Sequence, residues 1–135
     1  MYELIGTAFL AAAIQGAPTS PIEGQWRSPG GNSIIAIAPC GSALCGTVVW
    51  ATDKAKHDAR KGTSQLIGAQ LLTNVQPKGK GWQGRLFVPD QNLRATAKIQ
   101  LSGAQQIKVS GCAFGKALCK SSLWTRFDGP LPTAQ

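Results

Sequence analysis

The side chains best suited to catalysis lie in one charged segment, residues 51–64. His57 is the only histidine of the chain, and Asp53 and Asp58 lie close to it in sequence. Together with Ser64 they could supply the base, the orienting carboxylate and the nucleophile of a hydrolase. No nucleophile-elbow motif accompanies Ser64, and the few acidic residues elsewhere form no convincing carboxylate pair. We therefore predict a non-enzymatic protein and keep a hydrolase built on His57 as a third hypothesis.

The four cysteines could serve either metal ligation or disulfide bonding. They form two local pairs, Cys40 with Cys45 and Cys112 with Cys119, and each pair brackets an expected turn. Neither spacing is CxxC, and His57 lies in a different segment, so no metal site is predicted. Of the three possible connectivities, the two local bridges are the most economical. Paired cysteines are typical of an oxidising compartment, which predicts an exported protein.

The cysteine pairs require extended segments to position them. Branched and aromatic residues on both sides of Cys40 and Cys45 favour an extended backbone, so residues 33–50 are predicted to form a hairpin. Residues 93–101 alternate between apolar and polar side chains, which is the period of a strand with one buried face. Both patterns indicate antiparallel β-structure.

The whole chain contains about eight such strands joined by turns, with no strong helix. Eight sequential antiparallel strands leave two exposed edges unless the sheet closes, so the predicted fold class is all-β, an eight-stranded antiparallel up-and-down barrel. A β-sandwich is the alternative. The interior of such a barrel is either filled by side chains or holds one small ligand. The side chains predicted to face it are Ile35, Ile37, Val48, Trp50, Leu86, Leu93, Ala95 and Ile99.

Two segments lack a clear alternation. Residues 65–75 fit either a short helix or a strand interrupted at Gly68, and we favour the strand. Residues 51–64 are polar and almost free of large apolar side chains, so they are predicted to be a solvated loop. This loop could cover the mouth of the barrel, where basic side chains would attract an anionic head group. Those side chains are Lys54, Lys56, Arg60 and Lys61.

The charge balance bears on partners and not on the fold. Fourteen basic and six acidic residues give a formal net charge of +8, which favours anionic partners in general. Small barrels do bind single-stranded nucleic acid, through exposed aromatic residues interleaved with basic ones. Arg85 with Phe87 is one weak instance of that pattern, and predicted export argues against it. No nucleic-acid binding is predicted.

The two ends of the chain differ from its middle. Residues 1–17 are apolar and rich in small residues, as in a signal-peptide leader, although Glu3 stands where a basic region is usual. Residues 18–23 are predicted to be a proline-rich linker, residues 24–128 a single barrel domain and residues 129–135 a tail. No other run could cross a bilayer, so the mature chain is predicted to lack a membrane span. The predicted location is the periplasm or the extracellular space.

A set of short motifs follows in order along nearly all of the predicted mature chain. They are Gly24-Gln25-Trp26, Pro39-Cys40-Gly41, Leu44-Cys45-Gly46, Val49-Trp50, Leu66-Ile67-Gly68, Trp82-Gln83-Gly84, Pro89-Asp90 and Trp124-Thr125-Arg126. As a set they resemble a bacterial family of secreted proteins known only as domain of unknown function 2147. The resemblance implies a small lipocalin-like barrel and no established activity. The Cys112/Cys119 pair departs from the family pattern.

A wider resemblance is to lipocalins, whose first strand carries Gly-x-Trp and whose last strand brings a basic residue against that indole. Trp26 and Arg126 match this pattern, and we assign them a structural role in closing one end of the barrel. The candidate ligand-binding residues are Trp50, Trp82, Arg85, Phe87 and Trp124.

Taken together, these features predict an exported, non-enzymatic barrel that binds a small amphipathic or anionic ligand, such as a lipid, without a cofactor. The alternative is a structural or protein-interaction barrel with a packed core. The sequence does not define the oligomeric state.

Overall fold

The structure is a computed structural model, and it describes residues 20–113 and 118–132. The predicted leader, residues 1–17, lies outside the described residues. Eight strands follow one another along the described chain. They are β1 (Gly24–Arg27), β2 (Ser33–Cys40), β3 (Ala43–Ala51), β4 (Gln70–Lys78), β5 (Gly81–Val88), β6 (Leu93–Leu101), β7 (Gln106–Ala113) and β8 (Leu118–Arg126).

Each strand pairs antiparallel with the next, and β8 returns to pair with β1. The closing contact is short, with Trp26 opposite Arg126 and Arg27 opposite Thr125. The sheet is therefore a closed eight-stranded up-and-down barrel, which confirms the predicted fold class and excludes the sandwich. Closure leaves no long unpaired edge among these strands.

Both predicted disulfides are present, and each links two neighbouring strands. Cys40 and Cys45 are bonded across the β2–β3 turn, with their Cα atoms 5.8 Å apart. Cys112 and Cys119 stand directly opposite each other in the β7–β8 pairing and are also bonded. Because the strands run up and down, the first bridge lies at one end of the barrel and the second at the other.

The core is packed most densely near the end where β1 begins. Its fully buried side chains are branched aliphatic residues arranged around Trp26. Residues 20–23, which the sequence placed in a linker, form a turn over this end of the barrel. Within that turn Ile22 has no exposed surface and belongs to the core cluster. The larger members of this packed region are Ile22, Trp26, Ile35, Ile37, Leu72, Val75, Ile99 and Ile107.

The prediction of a solvated loop at residues 51–64 was wrong. The segment contains a helix, α1 (Asp53–Asp58), continued by a 3-10 turn (Ala59–Lys61). The Thr52 hydroxyl caps the helix by accepting a hydrogen bond from the backbone N–H of Ala55. An ion pair of 2.8 Å between Lys54 and Asp58 adds an i,i+4 contact along the exposed face. Small residues suffice to dock the helix, which explains why no apolar stripe marks it.

One irregularity in β3 changes which side chains face inward. The β2–β3 register shifts at Ile34/Ile35, where Ile34 pairs with Trp50 and Ile35 with Val48. The extra residue reverses the alternation, so Ala51 joins the buried core while Trp50 remains outside it. In residues 65–75 the favoured strand is correct from Gln70 onward. Gly68 lies in the preceding turn with φ of +98°.

Candidate functional site

One end of the barrel is closed by the Trp26 indole and the Arg126 guanidinium. The guanidinium carbon lies 4.2 Å from the centroid of the ring, which is within the range of a cation–π contact. The Arg126 Nη1 atom would also lie 2.8 Å from a Cβ atom at Gly24, whose φ is +126°. Glycine is therefore required beside the tryptophan for this close approach.

Hydrogen bonds fix both partners of this plug. The Trp26 Nε1–H donates to the Ile22 carbonyl at 2.9 Å. Arg126 donates to three backbone carbonyls, those of Pro21 at 2.9 Å, Glu23 at 3.1 Å and Ala104 at 3.3 Å. The guanidinium therefore ties the chain before β1 to the β6–β7 turn, and its structural role stays a prediction that unfolding measurements can test.

The opposite end of the barrel contains a cavity of about 480 Å³. Its inner wall is apolar. Its rim is formed by exposed polar side chains of the β1–β2 turn, of residues 53–62 (α1 and the turn that follows it, here called the α1 segment), of the β5–β6 turn and of β8. The apolar lining includes Val48, Leu66, Leu71, Leu86, Phe87, Leu93, Ala95, Val109 and Trp124. The polar rim comprises Asn32, Asp58, Asp90, Gln91, Lys120 and Ser122. The arrangement can hold a molecule with an apolar body and a polar end.

Two glycines shape this cavity. A Cβ atom at Gly111 would lie 2.6 Å from Leu86 Cδ2, so the glycine leaves room for that leucine in the interior. A Cβ atom at Gly62 would lie 2.6 Å from the Pro89 carbonyl oxygen. The absence of a side chain there lets the end of the α1 segment approach the β5–β6 turn and complete the rim.

The charges on the rim are mixed. Asp58 lines the cavity and accepts a hydrogen bond from Lys54 at 2.8 Å, which lowers the pKa of this carboxyl below its ordinary value. Asp90 and Lys120 also line the cavity, and neither has an ion-pair partner among the described residues. The four basic residues predicted at the mouth, Lys54, Lys56, Arg60 and Lys61, do not belong to the lining.

The structure brings together two of the five candidate ligand-binding residues. Phe87 and Trp124 both line the cavity. Trp50 and Trp82 are half-buried and lie outside its lining, and Trp82 packs against the core. Arg85 lies in a separate groove on the outer surface.

Seven of the eight predicted interior residues divide into two groups. The prediction for Trp50 was wrong, because the β2–β3 bulge leaves it outside both the cavity lining and the core cluster. Val48, Leu86, Leu93 and Ala95 line the cavity, whereas Ile35, Ile37 and Ile99 fill the packed end. Leu71 was missed because its strand was ambiguous in sequence. Val109 had the alternation that would have identified it.

The residues considered for hydrolysis do not form an assembled site. His57 and Ser64 are exposed and do not line the cavity, and Asp58 is paired with Lys54 and not with a histidine. Within residues 20–113 and 118–132, no three His, Cys, Asp or Glu side chains are grouped so that they could hold a metal ion. In the same part of the chain, no helix is long and apolar enough to cross a membrane.

Comparison with known proteins supports the fold and gives no activity. Among solved structures, protein HP1028 from the human pathogen Helicobacter pylori, described as belonging to the lipocalin family, is similar to this chain with a TM-score of 0.62. The sequence identity is 12%, over 82% of this chain and 85% of that one, so the likeness concerns the fold alone. No curated protein matches the chain significantly. The family model described as "Uncharacterized protein conserved in bacteria (DUF2147)" matches residues 24–126, and the chain belongs to that family.

Proposed function

We propose that this protein is an exported, non-enzymatic barrel that holds a small amphipathic ligand. The apolar part of the ligand occupies the cavity between α1 and the packed core, and its polar head lies at the rim. Phe87 and Trp124 contact the apolar part. The observation that carries the proposal is the cavity of about 480 Å³, open at one end and apolar within.

The size and lining of the cavity match what small-molecule sites require. Ligand pockets of roughly 300 to 1,000 Å³ are typically apolar with a few polar groups that orient the ligand. This cavity has aliphatic and aromatic walls, and its polar residues are exposed at the mouth. A ligand that is polar throughout would leave its own hydrogen-bonding groups unpaired against these walls.

The rim gives less support to a strictly anionic head group. Among the rim residues that the structure describes, Lys120 is the one cation, and it shares the rim with Asp58 and Asp90. Lys54 pairs with Asp58, so one carboxylate and one ammonium of these described residues remain available to a ligand. This balance favours a polar or zwitterionic head group over a simple anion.

Export is supported by the two disulfides, which persist in oxidising compartments and are rare in the reducing cytosol. The alternative of a structural barrel with a packed core is supported by the end around Trp26, where large side chains are fully buried. It does not account for the open end.

The proposal is tested by binding of a fluorescent amphiphile with a zwitterionic head group, a dansyl-labelled lysophosphatidylcholine, to the oxidised chain. We expect saturable binding with one site per barrel. Ser122→Phe should weaken it by about tenfold, which is 1.4 kcal/mol, because Ser122 lines the cavity. Ser121→Phe is the matched control, since the same change at the neighbouring position lies outside the cavity lining.

Circular dichroism must show both variants folded, because the probe also binds partly unfolded protein. Native mass spectrometry of the chain isolated from its own host should show a copurifying small molecule that Ser122→Phe removes. If neither the probe nor any copurifying molecule binds the folded wild-type chain, the structural alternative replaces the proposal.

A further inference from the structure

The charge of this protein is segregated along the chain. Residues 70–126, which span β4 to β8, contain nine of the fourteen Lys and Arg residues and only one of the six acidic residues, Asp90. The rest of the chain contains five basic and five acidic residues, so the whole formal charge of +8 belongs to this part. Of the cations in this part that the structure describes, seven are exposed, namely Lys78, Lys80, Arg85, Arg94, Lys98, Lys108 and Lys120. Such a surface attracts anions.

A groove of about 310 Å³ lies on this basic surface, outside the barrel and apart from the ligand cavity. It runs over the outer side of β4, β5 and β6, where Gln76 stands opposite Gln83, and Arg85 opposite Thr96. Two of its eight lining residues, Lys78 and Arg85, are cations, and none is acidic. The groove therefore offers hydrogen-bond donors to an anion with no carboxylate to repel it.

A local departure from regular strand geometry builds the groove. The β4–β5 register shifts between Thr73 and Gln76, and Asn74 within this bulge has φ of 51°. Left-handed backbone is unfavourable for a residue with a side chain, and Asn tolerates it better than most. The Gln76 Nε2 donates to Asn74 Oδ1 at 2.9 Å, which fixes one amide against the other.

The facing strand is adapted to this bulge. A Cβ atom at Gly84 would lie 2.6 Å from the Thr73 carbonyl oxygen and 2.9 Å from the Val75 Cα atom. Glycine is therefore needed where the bulge approaches β5. Bulges often re-aim side chains beside functional sites, and an observed backbone outlier is a reason to look for a function.

We propose that this outer groove is a second binding site, for a sugar unit that carries a phosphate or a carboxylate. Arg85 and Lys78 would bind the anionic group through charge-assisted hydrogen bonds. The amide and hydroxyl side chains around them can donate to and accept from the sugar hydroxyls at the same time. Those side chains are Asn74, Gln76, Gln83 and Thr96.

The composition of the groove favours a sugar over the other anionic partners. Single-stranded nucleic acid is held largely by stacking of bases on aromatic side chains, and the groove lining contains none. An anionic bilayer would be met by apolar side chains among the cations. The four large apolar side chains that are exposed in the described chain, Ile67, Leu101, Leu123 and Leu131, lie outside the groove.

The test is a titration of the ¹⁵N-labelled full chain, followed by amide chemical shifts at constant ionic strength. The probes are glucose 6-phosphate, glucuronate, glucose and inorganic phosphate. We expect the two sugar anions to shift the amides of residues 74–76, 78, 83–85 and 96, and we expect glucose and phosphate each to bind at least about tenfold more weakly. Equal binding of inorganic phosphate would overturn the sugar assignment.

A matched pair of variants separates a site from diffuse charge. Arg85→Gln and Arg94→Gln each remove one charge from the same surface, but only Arg85 lines the groove. We expect Arg85→Gln to weaken glucose 6-phosphate about fivefold and Arg94→Gln less than about twofold. Equal losses would show a diffuse field and overturn the proposal. Lys78→Gln replaces Arg85→Gln if the latter fails to fold.

Two further probes examine the other partners directly. Vesicles of phosphatidylglycerol and a thymidine oligonucleotide are added to the same labelled chain. If either perturbs the groove amides while the sugar anions do not, the groove serves a membrane or a nucleic acid and the proposal fails. The ligand cavity is unaffected by this outcome, because the two sites share no lining residue.

Discussion

Replacing Trp26 by alanine should destabilise the barrel more than replacement of any other tryptophan. Trp26 has no exposed surface and lies at the centre of the packed end. Truncation of a buried tryptophan costs about 3 to 5 kcal/mol through lost burial and the cavity left behind. The contact with Arg126, at 4.2 Å from the ring centroid, adds about 1 kcal/mol at a half-exposed site. These contributions overlap, so we expect a total loss of about 4 kcal/mol.

The assay is urea unfolding of the oxidised chain, followed by circular dichroism, with thermal melts as a second measure. A loss of about 4 kcal/mol corresponds to a fall of about 15 °C in the melting temperature of a domain of this size. Trp50→Ala is the matched control, because Trp50 is only half-buried and lies outside the core cluster. It should cost about half as much or less.

A milder substitution keeps the reasoning testable if Trp26→Ala does not fold. Trp26→Phe retains an aromatic ring but removes the Nε1–H that donates to the Ile22 carbonyl at 2.9 Å. Leaving that buried carbonyl without its partner should cost about 2 kcal/mol. If Trp26→Ala loses less than about 1 kcal/mol, or no more than Trp50→Ala, the assignment of a structural plug is refuted.

Three further predictions concern a disulfide, two glycines and an ion pair. Replacing both cysteines of the Cys112 bridge by serine should lower the free energy of unfolding in urea by about 2 kcal/mol, because the bridge closes a short loop of the unfolded chain; a loss near zero would contradict this. Gly84→Ala should cost about 2 kcal/mol in the same assay and Gly111→Ala clearly less. The new methyl group would meet a backbone carbonyl of β4 in the first case and the end of a flexible leucine side chain in the second, and equal losses would argue against this distinction. The hydrogen bond from Lys54 holds the pKa of Asp58 below its ordinary value of 3.8, so its stabilising effect is present above that pH and is lost as the pH falls through the lowered pKa. Thermal melts at low salt should show this loss of stability as the pH falls. The loss should be smaller at high salt and absent in Asp58→Asn. If the melting temperature of Asp58→Asn depends on pH in the same way as that of the wild-type chain, the interpretation is rejected.

The barrel fold could be predicted because the sequence features that specify its strands and turns are local. Strict alternation in residues 93–101 marks one buried face, and turns rich in glycine, proline and asparagine separate the strands. Once eight such strands are counted, closure follows from the need to remove two edges. The cysteine pairs could be predicted for the same reason, because each brackets a turn between two neighbouring strands. Cys112 faces Cys119 directly, whereas Cys40 faces Ala43 and Cys45 faces Ala38.

The candidate site was only partly predictable, because its position depends on features that sequence patterns do not register. Helix α1 rests on the Thr52 cap and one ion pair, and a helix of six residues has no room for an apolar period. The bulge opposite Ile34 and Ile35 reverses the alternation at Trp50, and a shift of one residue changes the face of every later side chain. The basic residues of the α1 segment were expected at the mouth, but the helix places Asp58 there instead.

The difference between the two ends of the barrel follows from the sizes of its inward side chains. An eight-stranded barrel is just wide enough for side chains to fill it, so large residues at one level pack it and small ones leave space. Around Trp26 the inward residues are mainly isoleucines.

At the opposite end Ala95 and Ser122 take their place, and the cavity lies there. An apolar space of this size that side chains leave unfilled lacks the dispersion contacts that leucine or phenylalanine at the same positions would make. A chain selected only for stability would be more stable if larger side chains filled this space. The retained space therefore supports the proposal that a ligand supplies those contacts when it binds.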